Sequence, residues 1–417
     1  MFRPIHAWIA IAALSIGAAG AVPLQPQLTE AEQAALDACF QKEDVDAGFA
    51  CVEDLQLPLP PEMAEMLAMA GDPVLQEAYE RWQADFDAAM VEQARALATR
   101  GDARSLLAAA MIVPIGYDEA TGQPLPAAVD PAIWFDAARQ VRPGDPLVAW
   151  LEVNGCPLFV SRCDPDAALA RLLQVDGDNG AVQWLAVNAA LGAGDTVAAR
   201  THLRLAAGAD RFEPYGNALM TMLLDARTAA PLPPMPADAA RVLAKTMPLE
   251  RPATNADVIA MLSTAQWAVH AIPSLSGMLQ LCGAGQDRPV LDAALRQDCK
   301  RLMAKLAASD SVLIYPSIAL PLLVELASGP ERVAWQAQLR EFAWLSEQFH
   351  GLLTVGGPGL AAVDMATHAQ AIANDGEVGA ARQLLQRNGI PLQPPADWRP
   401  SHPRHRALLA PGNAPAG

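Results

Sequence analysis

Residues that favour β-sheets are scarce in this 417-residue chain. Aromatic residues make up only 5% of it, and no stretch of any length alternates β-branched with polar residues between turn signals. This scarcity argues against sandwiches, barrels and other sheet-based folds. Alanine, the strongest helix former, accounts for much of the 52% hydrophobic content, so the composition predicts an all-α fold.

Basic charge is scarce as well. The chain has 29 basic against 46 acidic residues and a net charge of −17. Its only lysines are Lys42, Lys245, Lys300 and Lys305, and no basic stripe forms along any predicted helix. Nucleic acids and anionic membrane surfaces are therefore poor partners. The acidity itself favours solubility and indicates no particular substrate.

Sequence motifs of the common enzyme and cofactor classes are missing. There is no Walker loop, no dinucleotide fingerprint, no HExxH and no G-x-S-x-G. The acidic residues are scattered rather than paired, and no CxxC is present to hold zinc. The sequence thus predicts no cofactor, no metal site and no catalytic residue, although it leaves the question of an enzymatic activity open.

The N-terminus has the pattern of a secretory signal peptide. Arg3 and His6 precede an uncharged apolar stretch over 7–20, and Ala19-Gly20-Ala21 offers a small-x-small cleavage site. We therefore predict a signal peptide over 1–21 and a periplasmic or secreted location of the Gram-negative type. A retained N-terminal anchor is the alternative. No later stretch is long and apolar enough to predict a membrane span.

Six cysteines fall in three pairs that are close in sequence: Cys39 with Cys51, Cys156 with Cys163, and Cys282 with Cys299. An even number of cysteines behind a signal peptide indicates disulfides in an oxidising compartment. Sequence alone leaves their connectivity open. We predict pairing between neighbours, because each pair flanks a plausible turn between helices.

Composition and turn signals divide the rest of the chain. "APLPPMPAD", at 230–238, is the most proline-dense internal stretch and predicts a boundary between two halves. The predicted divisions are a cysteine-containing helical segment (22–60), a helical repeat region (61–229), this proline-rich linker (230–238), a C-terminal helical region (239–393) and a disordered tail (394–417).

One short pattern occurs twice. "AWLEVN", 149–154, and "QWLAVN", 183–188, place Trp150 and Trp184 at a separation of 184 − 150 = 34 residues. "GDTVAAR", 194–200, follows the second copy, and "GEVGAAR", 376–382, mirrors it. With this period and the small residues that follow the turn, the chain resembles a tetratricopeptide (TPR/Sel1-like) repeat protein.

The resemblance implies an irregular α-solenoid of helix-turn-helix units, to which the cysteine pairs would add disulfide staples. Two departures stand against a uniform array. The insertion "GCPLFVSRC" displaces the second helix of the first unit, and the interval between the last two turns, 376 − 194 = 182, is not a multiple of 34. Such repeats are generic scaffolds, so the resemblance favours partner binding without identifying a partner.

The repeated residues are the candidate binding residues. Tryptophan supplies apolar area and one donor, and an asparagine amide can bond the backbone of an extended ligand. The predicted partner-binding residues are Trp150, Asn154, Trp184, Asn188 and Leu191. A shift of the repeat register by one residue would instead place the tryptophans in the core, and this alternative stays open.

The sequence therefore predicts a non-catalytic exported scaffold that binds a protein or peptide partner in the cell envelope. The first alternative is an α-helical enzyme of the α/α-toroid type, a hydrolase or a lyase, whose site residues are spread over several helices. The second is a purely structural envelope protein.

Overall fold

The computed structural model describes residues 73–115, 129–159, 164–247, 249, 251–283, 291–353 and 364–410. These ranges contain sixteen helices and no strand, so the prediction of an all-α fold is confirmed there. The predicted signal peptide and the cysteine-containing segment over 22–60 lie outside the described residues.

The helices are numbered here in chain order. They are α1 (Pro73–Ala98), α2 (Ala103–Ile112), α3 (Pro131–Val141), α4 (Pro146–Phe159), α5 (Pro165–Asp176), α6 (Gly180–Gly192), α7 (Thr196–Gly208), α8 (Gly216–Thr228), α9 (Ala237–Thr246), α10 (Asn255–Ala271), α11 (Ser276–Leu281), α12 (Ala293–Ala307), α13 (Ile314–Leu326), α14 (Gly329–Leu353), α15 (Met365–Arg387) and α16 (Pro403–Leu409).

Short polar side chains fix where many of these helices begin. An N-cap side chain accepts a backbone N–H of the first turn in α2, α3, α5, α6, α7, α10, α12 and α15. Most of the caps are aspartates, and their charge also suits the positive end of the helix dipole. Each cap contributes about 1 kcal/mol, and burial of the apolar side chains supplies most of the remaining stability of these helices of 10 to 13 residues.

The first seven helices form a row in which neighbours in sequence are neighbours in space. The closest pairs are the hairpins α2–α3, α4–α5 and α6–α7. One member of each hairpin also packs against a later helix: α2 against α8, α4 against α10, and α6 against α11. We call this side of α2, α4 and α6 the covered face. The arrangement is compatible with a helical repeat fold.

The second half of the chain extends the row of helices and also supplies the helices that pack on the covered face. Helix α7 packs against α12, followed by α13 and α14, while α8, α10 and α15 pack against one another. One hydrophobic core runs through both halves, from Leu106 to Ala380. The proline-dense stretch 230–238, which the sequence predicts to be a linker, connects α8 to α9.

A disulfide joins the end of α11 to the middle of α12. Cys282 and Cys299 are bonded with a Cα–Cα distance of 5.6 Å, so the prediction that these two neighbours pair is confirmed. The other predicted disulfide partners, Cys39, Cys51 and Cys163 and the side chain of Cys156, lie outside the described residues.

The first part of the predicted tail, residues 394–410, includes helix α16 and packs against the preceding helices. Helix α16 packs against α13 and α14, and the Trp398 ring meets the Trp344 ring edge-on at 5.4 Å. The Arg340 guanidinium lies over the Trp398 ring and bonds the Pro395 carbonyl. Proline content predicts an irregular chain but not the aromatic contact that holds it. Within the described ranges, no helix has the length and hydrophobicity of a membrane span.

Candidate functional site

The two tryptophans of the repeated pattern occupy equivalent, fully covered positions. Trp150 of α4 and Trp184 of α6 have 0% and 1% of their surface exposed, and both belong to the main hydrophobic core. Their separation of 34 residues places each on the covered face of its own hairpin. The two tryptophans therefore lie in the core, which is one of the two positions that the repeat register allowed.

Both indoles bind the backbone of one stretch of the same chain, "HAIPSLSG", 270–277, which we call the inner segment. Trp150 Nε1 donates to the His270 carbonyl at 3.3 Å, and Trp184 Nε1 donates to the Ser274 carbonyl at 2.9 Å. Asn188 Nδ2 donates to that second carbonyl at 2.7 Å. The inner segment runs from the end of α10 through four non-helical residues into α11.

Asn188 and Leu191 also fix the approach of α11. A Cβ atom on Gly277 would lie 2.4 Å from Asn188 Oδ1 and 2.9 Å from Leu191 Cδ1, so a larger residue at this position would displace both side chains. Asn154, the repeat equivalent of Asn188, has a different role, because its amide bonds the Trp150 carbonyl of its own helix at 3.0 Å. The structure therefore brings four of the five predicted binding residues against the inner segment and leaves Asn154 aside.

An aromatic cluster supports the tryptophans from the opposite side. Tyr215 meets Trp150 edge-on at 5.4 Å between ring centroids, and Phe212 meets both Trp184, at 6.4 Å, and Tyr315, at 5.7 Å. These perpendicular contacts suit the charge distribution of aromatic rings. The tryptophans are therefore held rigidly, and their N–H groups are fixed in direction.

A polar network holds that aromatic cluster in place, and sequence reasoning missed it. Buried Asp176 accepts hydrogen bonds from Asn179 at 2.8 Å and from Tyr215 and Arg211. The Asn179 side chain also forms a two-way bond with the Glu213 backbone, at 2.8 and 2.9 Å. Tyr215 has a φ of 58°, a left-handed value that is strained for a bulky residue. Nothing in the local sequence indicates this conformation.

Buried carboxylates bear on the alternative of an α-helical enzyme. Asp145, Glu152, Asp176 and Asp257 are the buried acids of the described ranges. Each accepts a hydrogen bond from at least one arginine, and Glu152 lies between two of them, at 2.5 Å from each. A carboxylate that is fully engaged in this way serves packing rather than proton transfer. These four carboxylates therefore give no support to the enzyme alternative.

The buried histidines make the fold sensitive to acid. Burial lowers the pKa of His270, at the start of the inner segment, to about 4. Burial, together with the charge of Arg387, lowers the pKa of His368 to about 4 as well. An unfolded histidine takes up a proton near pH 6.5, so between pH 6.5 and 4 the unfolded chain binds more protons and stability falls with falling pH.

We expect the substitution His368→Gln to flatten this dependence. Between pH 7 and pH 4, the stability advantage of the wild type over the variant should shrink by about 3 kcal/mol, because glutamine does not titrate. Urea unfolding at pH 7, 6, 5 and 4 measures the difference. Parallel stability curves for the two proteins would contradict the assignment. Comparing wild type with variant cancels the contributions of the carboxylates, which both proteins share.

No group of three or more His, Cys, Asp or Glu side chains converges as a metal site in the part of the chain that the structure describes. No protein-family model, no curated protein and no solved structure matches the chain. The case for a function therefore rests on the covered face and the contacts described above.

Proposed function

We propose that the protein is a non-catalytic scaffold of the cell envelope that binds an extended segment of a partner protein on its covered face, in place of the inner segment. One observation supports the proposal: side-chain donors of α4 and α6 already bind two main-chain carbonyls of the inner segment, and two of the three donors meet at Ser274, in its non-helical part. The exported location and the tetratricopeptide-like nature of the repeats belong to the same proposal.

The chemistry of these contacts suits an extended chain of variable sequence. Ser274 contributes its carbonyl rather than its side chain, and the two lone pairs of that oxygen accept from Trp184 and Asn188 together. A partner segment could present a carbonyl at the same place whatever its side chains are. Specificity would then come from apolar contacts such as those of the half-buried Ile272 and Leu275.

The exchange requires the inner segment to leave without unfolding the protein. Ser274 is exposed and Ile272 and Leu275 are half-buried against the core, whereas Pro273 and Gly277 are buried, so release of the segment would uncover a short stretch of core. The helices on either side, α10 and α12, are held by their own contacts with α8, α15 and α13. Opening would therefore involve mainly the inner segment and the short helix α11.

Two substitutions with opposite expected effects test the proposal. Leu275→Ser weakens the inner segment but leaves α6 intact, whereas Asn188→Leu removes the amide and keeps a similar volume. The probe is a fluorescein-labelled synthetic peptide of residues 270–277, and binding is followed by fluorescence anisotropy. Leu275→Ser should bind this peptide about tenfold more tightly than the wild type, because a lost apolar contact of about 1.4 kcal/mol shifts the opening equilibrium by that factor.

The double variant Leu275→Ser/Asn188→Leu is the matched control and should lose that gain. If the covered face only holds its own chain, both single variants will melt at lower temperature and neither will bind the peptide. That result would overturn the proposal in favour of a purely structural protein.

A further inference from the structure

A buried arginine of α8 stands out because no described residue supplies its counter-charge. Arg227, in the last turn of α8, has only 6% of its surface exposed. Its guanidinium donates to Ser263 Oγ at 3.0 Å and to Gln266 Oε1 at 2.6 Å, both on α10. These are neutral acceptors, and among the described residues no carboxylate lies within ion-pairing distance of Arg227.

The four buried carboxylates differ from Arg227, because they have partners of opposite charge. Each of the four buried carboxylates is paired with an arginine, as shown above. An uncompensated buried cation costs several kcal/mol, which hydrogen bonds to neutral groups offset only in part. Burial lowers the pKa of Arg227 to about 10, so the group is still positively charged at neutral pH.

The described residues around Arg227 are polar and carry no formal negative charge. Gln266 Nε2 donates to the Met111 carbonyl at 2.7 Å, and Gln93 Nε2 donates to the Ala226 carbonyl at 3.1 Å. The C-terminal ends of α2 and α8 thus meet here, and their dipoles supply about 0.3–1 kcal/mol each toward a cation. This is less than the cost of burying a full charge.

The guanidinium keeps donors for a further ligand. It carries five N–H groups, and the two hydrogen bonds to α10 use one on each terminal nitrogen. Gln266 is only half-buried, so the cluster reaches the surface at this side chain. The Ser263 hydroxyl accepts from Arg227 and retains its own proton to donate.

We propose that Arg227, Ser263 and Gln266 form a binding site for a small oxyanion, a carboxylate or a phosphate. The planar fork of the guanidinium matches the paired oxygens of either group, and the serine hydroxyl and glutamine amide supply further donors. The site residues lie on α8 and α10, and none of them is among the donors that bind the inner segment.

The test measures anion-linked stability of the full mature chain. The melting temperature is recorded in sodium phosphate, in sodium acetate and in sodium chloride at equal ionic strength. A site for either oxyanion should raise the melting temperature by roughly 4 °C over chloride when the anion is at about 100 times its Kd. Comparing phosphate with acetate identifies which oxyanion is preferred.

Substitutions at Arg227 and Ser263 test whether the rise in melting temperature comes from this site. Arg227→Met should abolish the rise, and Arg227→Lys should reduce it because an ammonium cannot bond two oxygens in one plane. Ser263→Ala serves the same purpose if the arginine variants do not fold. The matched control is Arg200→Met, which removes an exposed arginine paired with Asp292 and should leave the rise unchanged. A wild-type melting temperature equal in all three salts would overturn the proposal.

Discussion

Replacing Trp184 by alanine should lower the free energy of unfolding by about 3–5 kcal/mol. The substitution removes a side chain that is 1% exposed, leaves a cavity beside Phe212, and deprives the Ser274 carbonyl of one of its two donors. Urea unfolding followed by circular dichroism measures the loss. Trp184→Phe is the matched control. It keeps most of the ring volume, so its loss should be about 1–2 kcal/mol, chiefly that of the hydrogen bond.

A loss below about 1 kcal/mol for Trp184→Ala would mean that the tryptophan is not covered in solution and that the inner segment lies elsewhere. Because a large loss is expected whether or not a partner binds, this variant tests the fold and not the proposed function. For that reason the binding experiment uses Asn188 and Leu275, which are only partly buried.

Replacing Gly376 by alanine should be comparably damaging, at about 3–5 kcal/mol. Gly376 interrupts α15 with φ 72° and ψ 173°, a region of backbone conformation that is essentially restricted to glycine. A Cβ atom there would also lie 2.2 Å from the Asp310 carbonyl oxygen. The backbone at Gly376 cannot easily move away from Asp310. The next two residues hold it there, because Glu377 N donates to the Ser311 carbonyl and Val378 N to the Asp310 carbonyl, each at 3.0 Å.

Gly194→Ala provides the matched control for this variant. Gly194 has a similar φ of 76°, but nothing lies within 4 Å of the position that its Cβ would take. Its substitution should therefore cost only the conformational strain, about 1–2 kcal/mol. Equal losses for the two variants, measured by urea unfolding, would show that the backbone around Asp310 relaxes and that the clash does not contribute.

The sequence predicts the local elements of the fold well, because their causes are local. Alanine content and aspartate caps determine where helices form and begin. The spacing of 34 residues also predicts correctly that Trp150 and Trp184 occupy equivalent places. What lies against them is not a local property, since the carbonyls that they bind come 120 and 90 residues later in the chain. No periodicity within the repeat could indicate that a later segment covers it.

The two glycine-containing motifs also show that a local pattern does not predict tertiary contacts. "GDTVAAR" and "GEVGAAR" both place their first glycine in the left-handed region, as their likeness suggests. In the first, Asp195 caps the helix that it begins. In the second, the Glu377 side chain accepts the backbone N–H of Leu313, 64 residues away, at 2.7 Å. The two similar motifs thus share a glycine with positive φ but make different tertiary contacts.

The disulfide between Cys282 and Cys299 has a consequence for how strongly any outside segment must bind. In the proposed exchange, α10 would hold one end of the inner segment and the disulfide the other, so the segment would compete with a partner at an effective concentration of about millimolar. If it were released for one part in a hundred of the time, a partner would bind about 100-fold more weakly than its intrinsic affinity. Reduction of this single bond would lengthen the tether and lower that local concentration, so the redox state of the surroundings would set the threshold for binding.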